Sequence, residues 1–315
     1  MRAEGTCNNT ICEVVTVSVD SESTDPAGIN ATATTICDGE STTLTVQGGS
    51  TGTGADWQWY SGSCGGTSVG SGTSITVSPS SDTDYYVRAE GTCNTTSCQS
   101  ISITVNSLST IPTTVSASTS PICPGDNSVL TVSGGSLGTG ANWMWYSDNC
   151  GSTYEGNLPV ITVSPSVTTT YYVRAEGTCN QTACEIVTVE VNTESTDPTG
   201  INATATTICD GENTTLTVQG GSLGTGAGWQ WYSGSCGGTA VGSGSSITVS
   251  PSASTTYYVR AEGTCNSTSC QSIAITVNPL PNIILSMPKS TYNLTEPANT
   301  ISDTTPYTGV LSSPG

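Results

Sequence analysis

The stretch DYYVRAEGTCNTTSCQSISITV, residues 84–105, shows most clearly how this chain folds. Its second half alternates Ile101, Ile103 and Val105 with Ser and Thr, a pattern typical of a β-strand with one face on a core and the other in water. A polar turn flanked by two cysteines separates this strand from the one before it. The stretch therefore predicts an antiparallel β-hairpin of a half-buried sheet.

The string RAEGTC inside this hairpin recurs with a constant spacing of 86 residues, starting at Arg2, Arg88, Arg174 and Arg260. Such a period indicates tandem copies of one structural unit. The first and third units are nearly the same (type A), and the second diverges from them (type B). The three predicted units are residues 21–106, 107–192 and 193–278.

Each unit contains about seven short alternating segments separated by Gly-rich turns. In the first unit these segments lie near residues 29–35, 42–47, 56–61, 67–70, 73–78, 84–91 and 99–105. No helical period is present. The pattern predicts an all-β fold of tandem immunoglobulin-like Greek-key β-sandwiches, arranged as beads on a string.

The two ends differ from the units. Residues 1–20 contain CNNTICEVVTVSVD, which matches the end of a unit, so we expect them to be the C-terminal strands of a preceding Ig-like repeat. Residues 279–315 leave the pattern and contain Lys289, and we expect a linker and the start of a different module there. Both features predict that the chain is a fragment of a longer protein.

The paired aromatic residues of each unit favour core packing. Trp59 is expected to be the buried tryptophan at the centre of the third strand, with Trp57 on the same face. Tyr85 and Tyr86 lie where the tyrosine corner of such sandwiches occurs. The alternative is a sugar-stacking platform, for which Tyr60, on the opposite face from Trp59, is the candidate.

Four cysteines in each unit and two in residues 1–20 predict a disulfide framework and an oxidising, extracellular compartment. The second and third strands are expected to run antiparallel, so Cys37 before one and Cys64 after the other would lie at the same pole of the sandwich, opposite the Cys93–Cys98 turn. Strand order therefore favours pairing Cys37 with Cys64 and Cys93 with Cys98, with Cys7 joined to Cys12. A four-thiolate metal site would need C-x2-C spacings, which are absent from the sequence. The candidate disulfide residues are Cys7, Cys12, Cys37, Cys64, Cys93, Cys98, Cys123, Cys150, Cys179, Cys184, Cys209, Cys236, Cys265 and Cys270.

The composition excludes several classes of function. The net charge is −19, with only 5 Lys and Arg, so the chain has no basic surface for nucleic acid. It contains 0 His, which rules out Ser-His-Asp and Cys-His catalysis. No segment approaches the ~20 apolar residues of a membrane-spanning helix. We therefore expect no enzyme, no catalytic residues, no nucleic-acid partner and no direct membrane insertion.

The acidic loops are the candidates for a bound cation. Carboxylates in the DGE loops and STDP linkers are ligand types that Ca²⁺ accepts. The second unit has PGD and STIP instead, so no ligand set repeats, and we expect no cofactor, with Ca²⁺ as the alternative. The residues concerned are Asp25, Asp38, Glu40, Asp197, Asp210 and Glu212.

Two surface features repeat in every unit. Arg88 is followed two positions later by a glutamate, which favours a surface ion pair or an Arg–Tyr stack over a binding site. The hairpin tips, which we expect to be exposed, carry N-x-S/T sequons that are candidates for glycosylation or simply suit a tight turn. These asparagines are Asn94, Asn180 and Asn266.

The segments ICDGESTTLTV, WQWYSGSCGG, DYYVRAEGTC and SISITVN resemble the Ig-like repeats of large secreted surface proteins of Bacteroidota. Many of these are type IX secretion cargo, and the array is similar to the giant gliding-motility adhesins of the SprB type. The resemblance implies an exported, extended β-sandwich array at the cell surface. It implies no catalytic residue.

We accordingly expect a fragment of a long extracellular adhesin or cell-surface filament, acting as a disulfide-stabilised structural spacer for adhesion or gliding motility. Its expected partners are neighbouring repeats or copies of the same protein, with a surface polysaccharide or substratum as a further candidate. The alternative is a carbohydrate-binding accessory region of a secreted enzyme.

Overall fold

The structure, a computed structural model, describes residues 2–7 and 10–281. Residues 28–278 form β-strands joined by turns, as predicted for an all-β fold. Residues 2–7 and 10–27 contain no strand, so the strands expected in residues 1–20 are not formed in the described part of that segment. None of the described residues belongs to a helix that is long and apolar enough to cross a membrane. The expected module after residue 281, with Lys289, lies outside the described residues.

The first repeat is a sandwich of two sheets. One sheet has the order β1-β3-β6, and the other has the order β2-β8-β7-β4-β5. The pair β2–β8 is parallel, and the remaining pairs of this repeat are antiparallel. Its strands are β1 (Gly28–Ala31), β2 (Thr35–Cys37), β3 (Thr42–Gln47), β4 (Asp56–Ser61), β5 (Thr67–Ser71), β6 (Ser74–Val77), β7 (Thr83–Glu90) and β8 (Gln99–Asn106).

The predicted first strand, 29–35, is two strands that lie in different sheets. Ile29 and Ala31 of β1 pack on the core, and so does Ile36 of β2. The inward positions change from odd to even numbers between these strands, which a continuous strand of period two does not allow. The chain therefore breaks and crosses from one sheet to the other before Thr35.

The third repeat has the same two sheets, β16-β18-β21 and β17-β23-β22-β19-β20. The second has β13-β10-β9 and β12-β11-β14-β15, and a single parallel bridge, Ile122 to Val191, replaces the β2-type strand. The second repeat contains β9 (Thr114–Ala117), β10 (Ser128–Ser133), β11 (Asn142–Ser147), β12 (Thr153–Gly156), β13 (Val160–Val163), β14 (Thr169–Glu176) and β15 (Glu185–Val189). The third contains β16 (Gly200–Ala203), β17 (Thr207–Cys209), β18 (Thr214–Gln219), β19 (Gly228–Ser233), β20 (Thr239–Ser243), β21 (Ser246–Val249), β22 (Thr255–Glu262) and β23 (Gln271–Asn278).

Each sandwich is built around one tryptophan. Trp59 is 0% exposed and is surrounded by buried side chains that include Leu44 and Val87. Its Nε1 donates a hydrogen bond to the Gly72 carbonyl oxygen at 2.9 Å, so the indole brings no unsatisfied polar group into the core. Trp57 and Tyr85 are buried beside it. The predicted buried tryptophan is confirmed, and Trp145 and Trp231 have the same environment.

Contacts group the described chain into two compact units. Unit one contains the described residues up to Thr196 together with Ser222–Ala227 and Glu262–Ser267. Unit two contains Asp197–Gly221, Gly228–Ala261 and the described residues from Thr268. The loops of the third repeat that approach its incoming linker thus belong to unit one.

Candidate functional site

The disulfides follow a different pattern from the predicted one. Within each repeat, a bond joins the loop after the tryptophan strand to the start of the last strand: Cys64–Cys98, Cys150–Cys184 and Cys236–Cys270, each 34 residues apart. Two further bonds, Cys37–Cys179 and Cys123–Cys265, span 142 residues and join successive repeats. The predicted pairs Cys37–Cys64 and Cys93–Cys98 are wrong.

The loop after β4 explains the first error. The prediction placed Cys64 at the pole of the sandwich where β4 ends. The loop instead folds back over the outer face of the sheet, where Gly65 lies against the Arg88 guanidinium. Strand β8 starts part-way along the sheet, with Gln99 opposite Val87. Cys64 and Cys98 therefore meet on the sheet face, with their Cα atoms 5.9 Å apart.

The position of Cys37 explains the second error. The Asp38 amide donates to the carbonyl oxygen of Asn106, the last residue of β8, at 3.0 Å. Cys37 therefore sits at the pole where the first repeat ends. Cys179 lies on the hairpin of the second repeat at the pole where that repeat begins, and its Cα is 5.6 Å from that of Cys37. The prediction considered only pairs of cysteines inside one repeat. It did not consider a bond between the end of one repeat and the start of the next.

The junction between the first two repeats contains no free linker residue. Strand β8 ends at Asn106, and the next residue, Ser107, already bonds to the second repeat. Its amide donates to Thr139 Oγ1 at 3.0 Å, and its carbonyl oxygen accepts from the Thr139 amide at 3.2 Å. The bonded linker and the neighbouring Cys37–Cys179 disulfide together make the connection between the first and second repeats rigid.

Asn180 fastens the linker at the same joint. Its Oδ1 accepts from the Ser109 amide and its Nδ2 donates to the Ser109 carbonyl oxygen, both at 2.9 Å. Ser109 is 6% exposed, and its Oγ accepts from the Gly138 amide. The side-chain amide thus pairs with the linker as a neighbouring strand would.

The same contacts recur at the start of the other repeats. Asn94 pairs in this way with Ser23, and Asn266 with Ser195. The predicted exposure of the three sequon asparagines is wrong, because each is half-buried against a linker. A glycan on Nδ2 would take the side of the amide that now donates to the serine carbonyl. Asn94, Asn180 and Asn266 therefore act as linker clamps, and glycosylation would break them.

Four of the described cysteines keep free thiols: Cys7, Cys12, Cys93 and Cys209. The predicted Cys7–Cys12 bond is absent from the structure. All four are exposed. By position in the repeat, Cys93 and Cys7 correspond to Cys179, and Cys209 corresponds to Cys37. Disulfide bonding of these four stays a prediction.

The outer face of the larger sheet, which has five strands in the first and third repeats and four in the second, carries one charged cluster in each repeat. The Arg88 guanidinium lies over the Tyr60 ring, 5.2 Å from its centroid, and its Nε and Nη2 donate to the Glu90 carboxylate at 2.7 and 2.6 Å. The Tyr60 hydroxyl also donates to Glu90. Nη1 reaches Cys64 Sγ at 3.7 Å. The predicted ion pair and Arg–Tyr stack are both present.

Hydrogen bonding sets the electrostatics of this cluster. The bonds from Tyr60 and then from Arg88 lower the pKa of Glu90, and the bond to that carboxylate raises the pKa of Tyr60. In the second repeat, burial alone would raise the pKa of Glu176, but the bonds from Tyr146 and Arg174 outweigh it and the pKa is lowered. The arginine donors are already used, so the cluster braces the disulfide loop and does not present a free cation to a ligand.

A family model described as "Ig-like domain CHU_C associated" matches residues 25–106, 110–192 and 196–279. The chain belongs to this family. Among curated proteins, none matches the chain.

Solved structures similar to these CHU_C-associated repeats include two mouse proteins. The full ectodomain (Ig1-Ig3) of mouse nectin-like molecule 4 is 12% identical, covers 80% of this chain and 99% of its own, and has a TM-score of 0.35. Murine CEACAM1b is 18% identical, covers 53% of this chain and 99% of its own, and has a TM-score of 0.32.

The acidic residues considered for Ca²⁺ have local roles in the CHU_C-associated repeats. Glu40 Oε2 accepts from the Cys37 amide at 2.9 Å, and Asp25 accepts from the amide and hydroxyl of Ser97. Glu212 and Asp197 make the corresponding bonds in the third repeat. Across residues 2–7 and 10–281, no group of three or more His, Cys, Asp or Glu side chains is placed to hold a metal ion.

A cavity of 410 Å³ lies at the end of the second repeat, lined by Pro124 and Val167 of that repeat and by Glu194 of the following linker among others. Glu194 is the titratable side chain that lines it, whereas glycoside hydrolysis typically uses two carboxyl groups. A module of this family and fold suggests a non-catalytic role. The arrangement that this structure does build, repeatedly, is a joint between repeats.

Sequence reasoning named Cys37, Cys179 and Asn180 as candidates, but it missed how they pair at the joint, Cys37 with Cys179 and Asn180 with Ser109. Their signal was the repeat itself. A constant spacing without insertions gives every junction the same length, so a contact between the facing poles of two repeats can recur at each junction.

Proposed function

We propose that this chain is a piece of a long repetitive extracellular surface protein, in which the CHU_C-associated repeats act as a covalently braced spacer for adhesion or gliding. The carrying observation is the pair of inter-repeat disulfides, Cys37–Cys179 and Cys123–Cys265. A binding module needs only that its own sandwich is stable. A disulfide between two repeats stabilises their connection instead, which is what a spacer requires.

Several features support this proposal. Five disulfides in one chain are characteristic of oxidising compartments outside the cytosol. The first linker residue, Ser107, is already hydrogen-bonded to the next repeat, so a stretching force on the chain is transmitted to that repeat without extending a loose linker. The tyrosine considered for sugar stacking lies under the Arg88 guanidinium, which removes the support for a carbohydrate platform at that residue.

Stretching of single molecules tests the spacer role. With the disulfides intact, the 142-residue segment between Cys37 and Cys179, roughly 50 nm at about 3.5 Å per residue, should stay out of the force path. Adding a reductant should release that length. Equal extension in the oxidised and reduced protein would contradict the proposal. The variant C64S/C98S serves as the control, because it keeps the bonds between repeats.

A further inference from the structure

We propose that a row of side chains on the outer face of the larger sheet of the second repeat binds a neutral polysaccharide chain. The row crosses strands β12, β11, β14 and β15 and consists of Tyr154, Tyr146, Tyr172 and Ile186. The proposal supplies a partner for the adhesion in the proposed function, and to that extent it rests on that function.

Strand register places these four side chains in one line. Tyr146 lies opposite Tyr154 on one side and opposite Tyr172 on the other, and Tyr172 lies opposite Ile186. Because neighbouring strands are about 4.8 Å apart, the row is roughly 14 Å long. The rings of Tyr146 and Tyr154 meet edge to face, with their centroids 6.5 Å apart. The row is therefore long enough to contact several consecutive sugar rings.

Most of the row is open to solvent. Tyr154 is 55% exposed and Ile186 is 59% exposed, and Tyr172 is half-buried. Tyr146 is buried beneath the Arg174 guanidinium, which lies 5.6 Å from its ring centroid, so Tyr146 supports the row as Tyr60 would in the first repeat. The contact surface consists of its three neighbours. Contiguous exposed apolar side chains are a common mark of an interaction surface.

The two outer members of the row distinguish the second repeat from the other two. The corresponding positions of the first and third repeats hold small side chains, namely Ser68, Ser100, Ala240 and Ser272. The same sandwich forms with these small residues, so Tyr154 and Ile186 are not needed to build the fold. A function specific to the second repeat accounts for them.

Hydroxyl groups border the row. Thr170 and Thr188 lie two residues from Tyr172 and from Ile186, so they share the same sheet face, and their hydroxyl oxygens are 2.9 Å apart. A sugar ring combines C–H groups, which pack on tyrosine rings and aliphatic side chains, with hydroxyl groups, which exchange hydrogen bonds with threonine and tyrosine hydroxyls. The row offers both kinds of contact along one line.

Charge favours a neutral ligand. Arg174 Nε and Nη2 donate to the Glu176 carboxylate at 2.7 Å each, and Nη1 reaches Cys150 Sγ at 3.6 Å. These contacts use the donor nitrogens of Arg174, so it offers none to a carboxylate or sulfate group. The net charge of −19 also repels an anionic polysaccharide and a second copy of this chain.

The size of the row favours a glycan over a protein. A stable protein interface buries about 800 Å² on each partner, contributed by some 20–30 residues. Three exposed side chains in a single line supply only a small part of that area. An extended chain of neutral sugars needs no more than such a line, because each ring makes its contacts separately.

The test titrates the full chain with cellohexaose, xylohexaose and mannohexaose, which are neutral β-1,4-linked chains, and with hexagalacturonate as the anionic comparison. Calorimetry measures the affinity, and the methyl resonance of Ile186 reports on the site. We expect a neutral hexamer to bind in a 1:1 ratio and to shift this resonance, and hexagalacturonate to bind more weakly. Y154S and I186S, which introduce the serines of the first repeat, should each weaken binding about tenfold.

Two further variants make the test specific. V160S, at an exposed apolar residue of the smaller sheet, is the matched control and should leave the affinity unchanged. The double variant S68Y/S100I builds the row on the first repeat and should raise the binding ratio from one hexamer to two. This gain does not depend on the stability of the second repeat.

Several results would overturn the proposal: no binding of any neutral hexamer, equal affinity in Y154S, I186S and the unmodified protein, an unchanged ratio in S68Y/S100I, or tighter binding of hexagalacturonate. Self-association of the chain that Y154S abolishes would assign the row to a second copy and would also overturn it. If no hexamer binds while stretching still shows a segment shielded by disulfides, the spacer role stands and the glycan site fails.

Discussion

At the scale of single residues, Arg88 shows how one cation can organise a surface that is poor in charge. It touches a tyrosine ring, a carboxylate and a disulfide sulfur, and Gly65 leaves room for its guanidinium. The sequence predicted the pairing with Glu90, since the two residues lie on one face of a strand. It could not predict the sulfur contact, which depends on a loop that folds back over the sheet.

Replacing Gly65 by alanine should destabilise the first repeat by about 1–3 kcal/mol, more than replacing Gly62. Both glycines have positive φ values, +73° and +83°. An added Cβ at Gly65 would lie 3.2 Å from Arg88 Nη2, whereas at Gly62 it would meet nothing within 4 Å. Chemical denaturation of G65A and G62A measures the difference. Equal losses would show that the arginine contact is irrelevant.

The double variant E90Q/E176Q should flatten the dependence of stability on acid pH. The lowered pKa of both carboxyl groups means that their contribution is present above the unfolded-state pKa and is lost as the pH falls through the folded-state pKa. Because the side chains are partly exposed, we expect less than about 1 kcal/mol from each. Unfolding at a series of pH values measures it, with the exposed Glu190→Gln as control. If the free energy of unfolding depends on pH as steeply in E90Q/E176Q as in the unmodified protein, the two carboxylates do not stabilise the fold through these bonds.

At the scale of elements, the alternating pattern predicted the strands, but it did not predict where the chain crosses between sheets or how one repeat is attached to the next. The alternation of Ile101, Ile103 and Val105 fixed which face of β8 turns inward, because the period of a strand is two. The only sign of the break between β1 and β2 in the sequence was that the inward-facing apolar residues change from odd to even positions. The clamp of Asn180 on Ser109 brings together residues 71 positions apart, and no local pattern encodes that.

Replacing Asn180 by alanine should cost about 1–3 kcal/mol in the second repeat, since two hydrogen bonds to a buried linker residue are lost. Hydrogen exchange at the Ser109 amide should become faster at the same time. N142A, at an exposed asparagine of the neighbouring strand β11, is the matched control. If N180A leaves both the stability and the exchange rate as they were, the amide pairing does not hold the linker.

At the scale of the whole molecule, two classes of disulfide have separate tasks. The 34-residue bonds close loops inside a sandwich, for which chain-entropy estimates give roughly 3–4 kcal/mol. The 142-residue bonds tie one folded repeat to the next. The cysteine count predicted a disulfide framework, but the choice of partners depended on which poles face each other, and that is a property of the assembled chain.

The variant C37S/C179S should separate the unfolding of the first repeat from that of the second. Calorimetry should show two transitions in place of one, because the covalent coupling across the joint is gone. The variant C64S/C98S should instead lower the stability of the first repeat alone and leave the coupling. A single unchanged transition in C37S/C179S would mean that the linker contacts suffice to couple the repeats.

Because both bonds between repeats join the cysteine at the Cys37 position of one repeat to the cysteine at the Cys179 position of the next, the pairing rule does not depend on how many repeats there are. A recombination event that inserts or deletes one whole 86-residue unit restores the same bridges on both sides of the cut. Genes that encode such repeats can therefore lengthen or shorten the product freely, and no new cysteine partner has to evolve.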